Sequence, residues 1–247
     1  MCEVYLMITM KFNPDKTYSF YQPSVEGNRI LAVFENPTWK EQMLNRPSMG
    51  ETGIHLSMLF NILRNMECQF AKDFCNQLFK YHVGIVNAIR FSGDLANVTD
   101  SVRNWLIIEN AERFATAMKN AELVLLFGEN AQAGYTYFEN HLGKEKDKHP
   151  KCVISIYHLS RRALAKISNA TAVNKFLERK HAVGFTPRLP NEVQLAIIAE
   201  YIASKYEENN NCELGFKQFQ DFIRPFLRSG DGKIQKEFGT IKMAGGS

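Results

Sequence analysis

Four short apolar runs, each closing on a polar residue, constrain this chain more than any other feature. They are ILAVFENPTW (Ile30 to Trp39), VGIVNAIRF (Val83 to Phe91), ELVLLFGENAQ (Glu122 to Gln132) and KCVISIYHLSRR (Lys151 to Arg162). Helix-like stretches separate them. Apolar strands alternating with helices predict a parallel sheet covered on both faces. The expected fold is α/β: a three-layer sandwich with a central, mainly parallel four-stranded sheet, plus a C-terminal helical extension. In such sheets ligands collect at the carboxyl ends of the strands. Here those ends carry Glu35, Asn36, Asn87 and His158, a set suited to reading and cutting a small polar ring.

The rest of the chain fills in around these runs. Val4 to Met10 reads as an edge strand. Asn36-Pro37 ends the first core strand, because proline restricts its predecessor and cannot donate to a sheet. Residues 40–53 read as loop, punctuated by Pro47, Gly50 and Gly53. Apolar spacing predicts helices over 54–66, 68–81, 104–120 and 160–180, and residues 144–151 form a charged turn. Phe185 to Pro190 reads as a linker. Asn191 then caps a helix with Leu195, Ile198, Ala199 and Ile202 on one face. A second apolar-faced helix runs from Phe216 to Leu227. The expected organisation is an α/β domain over 1–183, a helical extension over 184–240 and a flexible tail over 241–247.

Charge and cysteine usage narrow the function classes. The net charge of +4 over 247 residues permits a polyanionic partner without requiring one. Five cysteines, an odd number without regular spacing, argue against a disulfide framework. The absence of a C-x-x-C pair argues against a zinc ribbon or an iron–sulfur site. No metal or cofactor is expected. No window reaches membrane-spanning length, and the start lacks the pattern of a signal peptide. A reducing, cytoplasmic setting is the default. His55, His82, His141 and His149 show no ligand pattern.

Several short motifs, in order and on the expected elements, make residues 28–180 resemble the uracil-DNA glycosylase superfamily. The family's first motif follows the first core strand as G-Q-D-P-Y, G-E-A-P-G or G-I-N-P-G. Phe34-Glu35-Asn36-Pro37-Thr38 is similar to it. The family's G-R-P-F-V-G-x-x-G resembles Asn45-Arg46-Pro47-Ser48-Met49-Gly50-Glu51-Thr52-Gly53. Asn87 in GIVNAIRF matches the base-reading asparagine, LVLLFGENAQ is similar to the third-strand pattern, and His158-Leu159-Ser160 resembles H-P-S.

The resemblance implies a chemistry. A pyrimidine leaves deoxyribose as an anion while the sugar takes on oxocarbenium character. The family pattern makes His158 the donor to the leaving base, and Glu35 or Asn36 the group that positions water. Asn87 would present its amide to the Watson–Crick edge of an extruded base. Phe34, Thr38 and Ser48 would line the base pocket. Ser160, Arg161 and Arg162 would meet phosphates, although Ser160 equally suits a helix cap. No lysine stands where a Schiff-base nucleophile is needed, so the expected enzyme is monofunctional and leaves an abasic site.

The departures point to a particular substrate. Phe34 replaces the glycine that opens the first motif. Ser48 replaces the stacking aromatic of R-P-F. Thr38 replaces the tyrosine that rejects C5 substituents in the strict uracil enzymes, Leu159 replaces the proline of H-P-S, and Arg162 lies near the position of a wedging leucine. A missing gate and a missing stacking wall imply a roomier pocket. Hydroxymethyl- or glucosyl-hydroxymethylcytosine of phage DNA is the expected base, removed by a monomeric enzyme in anti-phage defence. The alternatives are a uracil or mismatch repair glycosylase, or a non-catalytic nucleic-acid-binding member of the fold.

Overall fold

In the computed structural model, residues 20–21, 29–90, 92, 98–118, 121–142, 150–208 and 216–227 are described. The expected strand over 4–10, most of the charged turn over 144–151 and the tail lie outside them. Five strands form one sheet: β1 (Phe20–Tyr21), β2 (Ile30–Phe34), β3 (Gly84–Asn87), β4 (Leu123–Phe127) and β5 (Cys152–Ile156). Their order is β1-β3-β2-β4-β5. The four longer strands are parallel, and β1 pairs antiparallel with β3 at the edge. The fold is thus the expected α/β sandwich around a mainly parallel sheet. The four core runs of the sequence are its parallel strands, and all nineteen of their residues are buried.

Strand order explains how both faces become covered. The chain steps from β2 outward to β3, then back across β2 to β4 and on to β5. Parallel crossovers are right-handed, so a reversal of direction puts successive helices on opposite faces. The β2–β3 connection carries α1 (Trp39–Leu44), α2 (Glu51–Arg64) and α3 (Gln69–Phe74). The β3–β4 and β4–β5 connections carry α4 (Asp100–Glu109), α5 (Ala111–Met118) and α6 (Glu129–His141). After β5 come α7 (Arg161–Leu164), α8 (Ala170–His181), α9 (Glu192–Glu207) and α10 (Phe216–Ile223).

Strand alternation sorts the core into two clusters. Ile30, Ala32, Phe34, Leu125, Phe127 and Ile154 point to one face, where α2, α3, α9 and α10 supply Leu59, Phe60, Phe70, Ile198, Ile202 and Phe219. Leu31, Val33, Val86, Val124, Leu126 and Val153 point to the other, against Phe114, Met118, Tyr135 and Phe138 of α5 and α6. Residues from 184 onward were expected as an extension. Within them α9 shares the first cluster with β2, β4 and β5, and Leu195 to Ala199 are all buried.

Several helices differ from the reading by spacing. Residues 40–53 are not all loop. Thr38 and Glu41 form a capping box that starts α1, and α2 already begins at Glu51. The 68–81 segment is helical only to Phe74. The 104–120 segment is two helices parted at Asn110, and 160–180 is two helices parted before Asn169, whose side chain accepts from Ala172 N–H. Asn191 stands at the start of α9 in a left-handed conformation (φ 64°, ψ 2°) and makes no side-chain cap. Cys68 and Cys75 are free thiols, whereas Cys152 is disulfide-bonded, against the expectation from the odd count.

Candidate active site at the carboxyl end of the sheet

A cavity of about 760 Å³ opens where β2, β3 and β5 end. Its wall is built from four stretches of the chain. Phe34 to Gln42 leave β2 and enter α1, Ser48 to Thr52 lead into α2, Asn87 ends β3 and Ser92 follows it, and His158 follows β5. Every expected catalytic and base-binding residue is in this wall: Glu35, Asn36, His158, Phe34, Thr38, Ser48 and Asn87. Ser160, Arg161 and Arg162 are not.

The floor is rigid because strand pairing continues past β2 and β3. Ala88 N–H donates to the Phe34 carbonyl at 2.8 Å and Ile89 N–H to the Glu35 carbonyl at 2.9 Å. Phe34 stacks on Phe127 with centroids 4.7 Å apart and meets the His158 ring edge-on at 6.1 Å. It therefore belongs to the core as much as to the cavity.

Asn87 is the most unusual residue in the wall. It is 1% exposed, and neither its Nδ2 nor its Oδ1 has a hydrogen-bond partner among the described residues. A buried amide left unpaired costs about 1–3 kcal/mol. Ser48 Oγ is likewise buried and unpartnered. Ser48 sits in the left-handed region (φ 57°), over a glycine that the fold requires. A Cβ on Gly53 would lie 1.7 Å from the Ser48 carbonyl oxygen.

Across the cavity, His158 accepts the Ser160 N–H on Nδ1 at 3.1 Å. That contact leaves Nε2 as the proton-bearing nitrogen of the uncharged ring. Burial holds the imidazole below the ordinary histidine pKa, and the nearby Glu35 carboxylate pulls it back up. Glu35 also reaches the start of α6, where Oε1 accepts Asn130 N–H at 3.4 Å. Gly128 makes room for it: φ is +99°, and a Cβ there would lie 2.7 Å from the carboxyl group. Ser160 Oγ accepts Ala163 N–H, so this hydroxyl caps α7. Arg161 and Arg162 are exposed on that helix.

Glu41 is a wall residue that motif matching passes over. It is only 6% exposed. One carboxylate oxygen accepts Thr38 N–H at 2.5 Å, and the other accepts Ser48 N–H. Burial raises its pKa, and the two backbone donors act against that rise. Glu41 therefore ties the loop after β2 to the loop before α2. Its sequence signal is the T-x-x-E capping box. Thr38 Oγ1 completes the same box by accepting Glu41 N–H at 3.4 Å. At the rim, Trp39 is 62% exposed, and Ser92 Oγ donates to Gln42 Oε1 at 2.6 Å.

Among the described residues, no three His, Cys, Asp or Glu side chains gather as a metal site. None of their helices is long and apolar enough to cross a membrane. Comparison with known proteins gives no matching family model and no matching curated protein.

Proposed function

We propose that this protein is a monofunctional DNA glycosylase that extrudes a pyrimidine and hydrolyses its N-glycosidic bond. The observation that carries the proposal is the buried Asn87 amide, unpaired in the wall of a cavity that His158 also lines. An extruded pyrimidine supplies the complementary donor and acceptor that Asn87 lacks. The volume, about 760 Å³, suits a nucleoside with a bulky substituent.

The chemistry follows from the wall. As the bond between C1′ and the ring nitrogen breaks, its electron pair goes to the base. The Nε2–H of His158 donates to the pyrimidine O2 and stabilises that charge. Water held by Glu35 or Asn36 forms the new bond to C1′. Its released proton passes to Glu35 or to solvent, and the base leaves as an anion that takes up a proton outside the site. Ser160, Arg161 and Arg162, beside His158 in sequence, meet flanking phosphates.

The small Thr38 and the unpaired Ser48 hydroxyl favour a C5 substituent that itself carries hydroxyl groups. Hydroxymethyl- or glucosyl-hydroxymethylcytosine in phage DNA is the proposed target, attacked by a cytoplasmic monomer in defence. The test is base release from oligonucleotides containing uracil, from hydroxymethylcytosine DNA and from glucosylated phage DNA. Alkaline cleavage detects abasic sites and mass spectrometry identifies the free base. Release only from modified DNA is the expected result. Release of uracil alone makes the protein a repair enzyme, and no release from any substrate leaves a binding role.

A further inference from the structure

We propose that His55, fixed in one tautomer by Asn191, is a positioning residue that locks the loop carrying His158. This rests on the reading of His158 as donor to the leaving base. His55 lies on α2, is 4% exposed and belongs to no motif of the site. Its Nδ1 meets the Leu159 carbonyl oxygen at 2.6 Å. A carbonyl only accepts, so Nδ1 carries the proton and donates it. The Nε2 atom is then an acceptor, and it faces Asn191 Nδ2 at 3.2 Å, which donates.

The chain of contacts runs from the start of α9 through α2 to the loop after β5. That loop is held from both sides. His55 grips the Leu159 carbonyl, while the next amide, Ser160 N–H, donates to His158 Nδ1. The direction of the Leu159–Ser160 peptide plane therefore decides which nitrogen of His158 keeps its proton. A peptide plane free to turn would release Nδ1, and Nε2–H would no longer be assured.

Asn191 supplies an independent sign. It occupies the first position before a helix, where asparagine ordinarily caps, yet it makes no cap. It also holds φ 64°, a left-handed conformation that asparagine adopts more readily than most residues with a side chain. A glycine would suit that backbone better. The amide contact to His55 accounts for an asparagine there. It also gives α9 a part in the site that its distance in sequence conceals.

The test uses the full chain and its variants Asn191→Gly, His55→Phe and His55→Gln. Asn191→Gly removes the amide and relieves the backbone, so the fold is kept. Long-range proton–nitrogen spectra of the histidine rings report tautomers directly, whether or not any base is released. In the wild type, His158 should show Nε2–H with Nδ1 unprotonated. In Asn191→Gly and His55→Phe the His158 signals should move toward mixed tautomers. Base-release kcat should fall about tenfold to a hundredfold with KM little changed. His55→Gln, which can still donate to Leu159, should recover much of the loss. Unaltered His158 signals in a folded Asn191→Gly protein would overturn the proposal, as would an altered tautomer with unchanged kcat. A wild type that releases no base defeats the glycosylase reading, while the spectra still decide the role of His55.

Discussion

The side-chain amide of Asn110 donates to the backbone carbonyls of Asn87 at 2.9 Å and Ala88 at 2.8 Å. Arg113 adds a second contact to the Asn87 carbonyl at 3.0 Å. The end of β3 is therefore fixed through its backbone. The Asn87 side chain is held in place without spending either of its own polar atoms, which stay available to a ligand. Removing the clamp by Asn110→Ala should cost about 2 kcal/mol, because it strips a buried donor from two carbonyls. Urea unfolding measures this directly.

An unpaired buried amide makes Asn87 a residue where stability and function pull apart. Asn87→Leu replaces two unsatisfied polar atoms with an apolar group of similar size. The folded protein should become no less stable, and more stable by up to about 1 kcal/mol. Base release should fall about a hundredfold or more, since the base loses its partner. Thermal unfolding and single-turnover base release on the same preparation check both halves. A clear loss of stability would mean that the amide is paired in solution.

Glu35 and Gly128 form a pair in which one residue leaves space for the other. The carboxyl group lies 2.7 Å from where a Cβ on Gly128 would stand, and φ there is +99°. Gly128→Ala should therefore push Glu35 away from Asn130 and cost about 2 kcal/mol. Glu35→Ala in the same background should restore the steric part but not the backbone part. A double-mutant cycle read by urea unfolding should then give a coupling of about 1 kcal/mol. Strictly additive losses would show that the two residues do not meet.

His158 and Glu41 give opposite pH signatures. Burial lowers His158 below its ordinary 6.5, so the folded protein binds that proton less readily than the unfolded chain. Its contribution to stability is full above 6.5 and is lost as pH falls from there toward the lowered value. Glu41 is raised above its ordinary 4.5, so the folded state takes up that proton first, and acid relieves its burial cost. Stability measured by urea unfolding should therefore decline as pH drops just below 6.5, and His158→Gln should flatten that decline. An unchanged slope in the variant would remove His158 as its source.

The sheet is legible in sequence because a parallel strand is buried on both faces. ILAVF and LVLLF are continuous apolar runs with no competing period, and CVISI departs from one only at the buried Ser155. The wall residues on strand ends are legible for the same reason, since the end of a run is easy to mark. What escapes is whatever depends on a distant partner. Asn110 looks like an interior residue of one long helix, yet its value lies in two carbonyls of β3. His55 shows no ligand pattern because its partners are a carbonyl at 159 and an amide at 191. Asn191 invites the reading of a helix cap and instead turns its side chain toward α2. The helix at 39–44 escapes as well: Pro47, Gly50 and Gly53 mark 40–53 as loop, and only the T-x-x-E box of Thr38 and Glu41 signals a helix start.

Glu41 joins the two loops that shape the cavity, and its geometry predicts what replacing it would do. Both carboxylate oxygens accept backbone N–H groups, from Thr38 and from Ser48. A glutamine offers one oxygen and one NH2 group, so one of these amides must face another donor inside a buried site. Glu41→Gln should therefore destabilise by about 2 kcal/mol at neutral pH, although it removes a buried charge. The pocket should loosen before the core does. Hydrogen exchange at the Thr38 and Ser48 amides should quicken in the variant, while amides of β2 and β4 keep their protection. Base discrimination should weaken in parallel, with the ratio of kcat/KM between modified and unmodified DNA moving toward one. Equal protection of Thr38 and Ser48 in both proteins would show that the Thr38 hydroxyl contact to Glu41 N–H, not the carboxylate, holds the wall.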